Sequence, residues 1–202
     1  MADSVEISPD LQTWAWAAAF STTSIEGGGR AVFSTSDSEV RYFLERGDNG
    51  WLRVTCSHRM GPAQFEFAAP LMSTIEKYFY GLFGWDVRAN VPLKRATLNE
   101  NLREARFHIG RFTGRGPAYR ALFDDAEHYH FALFDGDQVV AVDGFGKTLA
   151  TIRLNQLAVY LSVSTAEIRY SFQEADDGGR LLTVNEGEGE GTATAKGTLT
   201  PG

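Results

Sequence analysis

The alternation of apolar and polar positions divides the chain into stretches of two periods. Leu11, Trp14, Ala15 and Ala18 recur at the spacing of a helix face, with Ser8 placed as N-cap and Pro9 in the first turn. From Phe20 the period shortens to two. Residues 21–26 and 30–35 read as strands joined by Gly27, Gly28 and Gly29, a turn that glycine fills without strain. Val40, Tyr42 and Leu44 alternate with Arg41 and Glu45, and Asp48, Asn49 and Gly50 supply a hairpin turn. Residues 51–57 follow with Leu52, Val54 and Cys56 inward, and Phe65 and Phe67 continue the alternation between Gln64 and Glu66. The first third is thus expected to be a helix followed by an antiparallel meander, the kind of sheet that buries one face.

A second helix is expected over residues 73–83, with Ile75, Tyr78, Phe79 and Leu82 on one face and Gly84 as its stop. Residues 93–104 fit a loop or a short helix. Strands are expected at 106–112, 119–123, 129–134 and 138–142, the last pair turning at Asp135, Gly136 and Asp137. Leu154, Leu157, Ala158 and Leu161 mark a third helix over 153–162, and Ser164 with Glu167 forms the capping box of a fourth carrying Ile168 and Phe172. The pattern predicts an α+β fold: one domain over residues 1–183, its antiparallel meander sheet covered by helices on one face. An acidic, glycine-rich tail over 184–202 cannot bury a core and is expected to be disordered.

Composition narrows the class. Hydrophobic residues make up 43% of the 202, enough for a packed interior. No apolar run approaches the roughly 18 residues that cross a bilayer, so no membrane role is expected. The polar, acidic first residues lack the pattern of a signal peptide, and the single cysteine, Cys56, suits a reducing compartment, so the expected location is cytoplasmic. Of the net charge of −7, four units fall after residue 173, where six acids face Arg180 and Lys196. The remainder is mildly acidic and without clustered cations, which argues against nucleic-acid binding.

Candidate chemistry is sparse. Gly144, Phe145, Gly146, Lys147 and Thr148 end like a phosphate-binding loop, but Ala141 stands where its first glycine belongs and no convincing helix is expected to follow. His128 and His130 share one face of an expected strand, while His58 and His108 have no ligand spacing, so no metal site is assembled. Asp124 and Asp125 are adjacent in a turn, Cys56 reads as a buried apolar residue, and no serine sits in a nucleophile elbow. These features imply neither catalysis nor a cofactor. A protein partner explains more. Trp16, Trp51, Trp85, Arg30 and Arg115 are the residue types enriched at binding hot spots, although tryptophans also fill cores. The slim turn Glu26, Gly27, Gly28, Gly29 and Arg30 suits entry into a cleft, with Trp16 or the Asp48 and Asn49 hairpin as rim. A small-ligand module using the concave sheet face is the alternative.

The strings EVRYFLERG (39–47), GWLRVT (50–55), FEFAAP (65–70) and IEKYFYGLFG (75–84) resemble the TNT-antitoxin family, immunity protein 61, of actinobacteria. LQTWA (11–15), LAVYL (157–161) and IRYSF (168–172) fit in the same order, so the resemblance covers roughly residues 11–182. It implies an inhibitor without catalysis of its own, whose partner is a secreted TNT-type NAD glycohydrolase toxin domain and which blocks that toxin's NAD-binding site. The matching strings fall mainly in expected core elements, and residues 103–115 match none of them.

Overall fold

A computed structural model of the chain describes residues 5–25, 30–47, 50–112, 130–143 and 147–185. The expected strand at 119–123, Arg115, Asp124, Asp125, His128, the glycines at 144 and 146, and the chain beyond Asn185 lie outside the described residues.

Helix α1 spans Pro9–Ala17; the Ser8 hydroxyl accepts from the Leu11 amide, and Leu11, Trp14 and Ala15 are buried. Strands β1 (Phe20–Ile25), β2 (Arg30–Thr35), β3 (Val40–Arg46), β4 (Leu52–His58) and β5 (Gln64–Ala69) form the expected antiparallel meander. Helix α2 (Met72–Ala89) follows, then a short strand β6 (Ala96–Leu98) and a 3-10 turn at Glu100–Leu102. A second meander, β7 (Phe107–Phe112), β8 (His130–Asp135) and β9 (Gln138–Asp143), completes an eight-stranded sheet of order β1-β2-β3-β4-β5-β9-β8-β7. Helices α3 (Lys147–Leu161) and α4 (Thr165–Gln173) precede β10 (Leu182–Val184), which pairs with β6 in a small second sheet. The α+β class and the covering of one sheet face follow the sequence. The second sheet does not, because three-residue strands are too short to show a period.

The inward face of the sheet carries Phe33, Leu44, Val54, Phe67 and Leu133, each fully buried. Phe33 lies 4.6 Å from the ring of Phe79 and 5.2 Å from that of Phe83, both on α2, and Phe67 lies 4.4 Å from Tyr78. The other sides of α2 are also enclosed: Trp14 of α1 donates to the Tyr80 carbonyl at 3.0 Å, and α3 and α4 pack along it. Enclosure on several sides explains why α2 does not stop at Gly84. A Cβ there would stand 2.3 Å from the Phe172 ring, and one at Gly81 would stand 2.2 Å from Tyr160. These glycines admit two aromatic rings to the helix backbone. They do not end the helix.

Three other expectations are corrected. The register steps at Val54 and Thr55, so Phe67 pairs with Val54 and Phe65 with Thr55. That bulge places Phe65 and Phe67 on opposite faces and turns Glu66 towards α3. Helix α3 begins at Lys147, within the glycine-lysine string and six residues before the expected start, and carries Leu154, Leu157 and Ala158 buried. Ala141 nevertheless lies buried within β9 opposite Leu133, which leaves no room for a phosphate-binding loop to begin there.

The strand ends divide into two poles. The β1–β2, β3–β4 and β8–β9 connections lie at one, where Gly50 and Gly136 take positive φ. The α1–β1, β2–β3 and β4–β5 connections lie at the other, where positive φ falls on Ala19, Ser38, Arg59 and Met60.

Candidate partner-binding surface

Alternation along β3 sends Tyr42 and Leu44 inward and Arg41, Phe43 and Glu45 outward. Register fixes their neighbours. Arg30, Glu45 and Arg53 form one cross-strand row, Val32, Phe43 and Thr55 the next, and Ser34, Arg41 and Ser57 the third. Glu45 is held between two guanidiniums, 2.8 Å from Arg30 and 3.2 Å from Arg53, all three partly exposed (30–39%). Arg30 lies 4.0 Å from the centre of the Phe43 ring and Arg41 lies 5.6 Å from it. Phe43 is half-buried, at the centre of a face bearing three arginines and one carboxylate. Aromatic and arginine side chains locked by mutual stacking are the make-up of a binding hot spot.

Of the residues singled out in the sequence, Arg30 belongs to this surface. Glu26, Gly27, Gly28, Gly29, Asp48 and Asn49 lie outside the described residues. Their flanks are close: Ile25 pairs with Arg30, Arg30 with Glu45, and Arg46 with Leu52, so both turns spring from the same pole of the sheet. Leu71, 58% exposed, follows β5 at that pole. Trp16 is 78% exposed but sits beside the start of β1, at the opposite pole and in the helix layer. A six-residue strand separates it from the glycine turn by about 17 Å. Trp51 is half-buried, and Trp85 is engaged inside the helix layer, its indole 3.3 Å from the Tyr160 hydroxyl. Arg41, Phe43, Glu45 and Arg53 were not singled out. The outward positions of the alternation were the available signal, masked because their partners lie on neighbouring strands.

A second polar cluster lies under α3. Arg153 bonds Asp143 at 2.8 Å and Glu66 at 2.5 Å, and also donates to the Glu66 backbone carbonyl at 3.0 Å. Burial, followed by Asp143, raises the Glu66 carboxyl above its usual range against the opposing pull of Arg153. Cys56 nearby, 3.4 Å from the His58 ring, is pushed up to about 11, mainly by burial. The thiol is therefore protonated at neutral pH and is a poor nucleophile. Glu66 is on β5 and Asp143 on β9, so the shared guanidinium joins the two meanders. This is a structural clamp. Among the described residues no group of three or more His, Cys, Asp or Glu is placed to hold a metal ion. Nor is any described helix long and apolar enough to cross a membrane.

The chain matches the family model described as immunity protein 61 over residues 14–179. It is 34% identical over 184 residues to the immunity factor for TNT of Mycobacterium tuberculosis, covering 89% of this chain and 94% of that protein. The Mycobacterium bovis protein called immunity factor for TNT homolog matches with the same identity and coverage. Among solved structures, Rv3902c from M. tuberculosis superposes with a TM-score of 0.73 at 33% identity, covering 91% of this chain and 98% of that one.

Proposed function

This chain belongs to the immunity protein 61 family, and from that premise we propose that it binds a TNT-type NAD glycohydrolase toxin domain and blocks the toxin's NAD-binding site. The observation that carries the reading is the match along nearly the whole length of two proteins called immunity factors for TNT or its homolog. The chemistry of the fold is consistent with it. The Cys56 thiol is protonated and the buried carboxylates share Arg153, so the internal polar groups serve the fold. Blocking is steric in this reading. The pole from which the Glu26 to Arg30 and Asp48 to Asn49 turns spring enters or covers the toxin's cleft, and the Arg30, Phe43 and Arg53 surface backs it.

The test is NAD hydrolysis by a TNT-type toxin domain from the same organism, with and without purified protein. Activity should fall in proportion to added protein and vanish near one equivalent. Undiminished hydrolysis at excess protein refutes the immunity role.

A further inference from the structure

Arg41 is a guanidinium that meets no counter-charge among the described residues. Its Nη2 donates to the Ser57 hydroxyl at 3.0 Å and its Cζ lies 5.6 Å from the centre of the Phe43 ring, yet among the described residues it meets no carboxylate. Its Nε is buried and has no hydrogen-bond acceptor among them. Leaving a buried donor unsatisfied carries a cost, so such a group in a folded protein calls for an explanation. The carboxylate described two rows away on the same face does not supply one. Glu45 is already shared by Arg30 and Arg53, so this outward face is positive by two charges on a chain whose net charge is −7.

We propose that the outward face of β2, β3 and β4, from Arg41 across Phe43 to Arg53, is the surface that receives an acidic patch of the toxin, with a toxin carboxylate pairing with Arg41. This rests on the immunity reading and adds the chemistry of the contact. The argument is charge complementarity: among the described residues the three rows on this face carry three guanidiniums and one carboxylate, and the helices cover the other face. A guanidinium already held by the Ser57 hydroxyl and near the Phe43 ring loses little freedom when it binds a carboxylate, which makes Arg41 the strongest anchor on the face. Arg53 lies further towards the hairpin pole and contributes through long-range attraction.

The experiment measures affinity for the same toxin domain by calorimetry over a range of NaCl, using wild type, Arg41→Gln, Arg53→Gln and, as a control on the helix layer, Ile152→Ser. Wild-type affinity should fall as salt rises. Arg41→Gln should weaken binding roughly 30-fold or more, as removal of one member of a buried charge pair does. Arg53→Gln should bind less weakly than Arg41→Gln and show a shallower salt dependence than wild type, and Ile152→Ser should bind as wild type does. Thermal melts accompany each variant; if Arg41→Gln melts early, Arg53→Gln and the wild-type salt profile decide the matter. A flat salt profile, or an intact Arg41→Gln that binds within threefold of wild type, overturns the surface while leaving immunity standing. Wild type that neither binds nor inhibits overturns both.

Discussion

At the scale of single residues, Gly84 is the most instructive. Glycine after an apolar stripe ordinarily ends a helix, and that rule fails here because the ring needing the space belongs to Phe172, 88 positions later. A local pattern carries no trace of a partner so distant. The same limit hid the cationic face: Arg41 and Glu45 were legible as outward positions, but their rows with Arg30, Arg53 and Ser57 depend on strand pairing. Gly84→Ala sets two effects in opposition. Alanine is better than glycine inside a helix by about 1 kcal/mol, while overpacking costs about 1–3 kcal/mol. With the added carbon 2.3 Å from a fully buried ring that also abuts Trp85, overpacking wins. The variant should lose about 1–2 kcal/mol, a drop in Tm of roughly 2–8 °C read by calorimetry. A melting point equal to wild type would mean that the ring can step aside.

Elements were most legible where local chemistry defines them. Ser164 and Glu167 were expected to cap α4, and each side chain accepts from the other's backbone amide, at 3.1 and 2.8 Å. The backbone and hydroxyl of Ser164, then Arg180, hold the Glu167 carboxyl down at about 2, against an ordinary value of 4.5. A depressed carboxyl contributes stability above its unfolded value and loses that contribution as pH falls towards the folded one. Glu167 is 38% exposed, so solvent screening keeps the contribution small. The Tm difference between wild type and Glu167→Gln should be measurable at pH 6 and close as pH falls from about 4.5 towards 2. A gap that persists at pH 2 would show that the charge is not its source. Elements with weak local signals were displaced or missed: α3 starts six residues before the expected 153, and the β6–β10 pair has no stripe at all.

For the whole molecule, the decisive joint is between β5 and β9. Two meanders far apart in sequence meet there, among the described residues, through two residue pairs, Phe67 with Asp143 and Ala68 with Val142. Arg153 reinforces it from above by binding a carboxylate on each side. Replacing Arg153 with Met removes the cation that both acids share and should destabilise the fold by about 3–5 kcal/mol. Hydrogen exchange should then quicken first at residues 67–68 and 142–143, before the β3–β4 ladder. Uniform exchange across the sheet would show that the joint is not the weak line.

The two poles of the sheet also differ in how they carry backbone stress. Positive φ falls on glycines where the candidate contact lies, and on Ala19, Ser38, Arg59 and Met60 at the far pole. Each such non-glycine residue holds strain of order 1–3 kcal/mol. The molecule therefore has a reserve for thermostabilisation at the end away from its proposed partner. Redesigning Arg59 and Met60 as asparagine and glycine, residues that accept positive φ at little cost, offers an engineer added robustness without touching recognition.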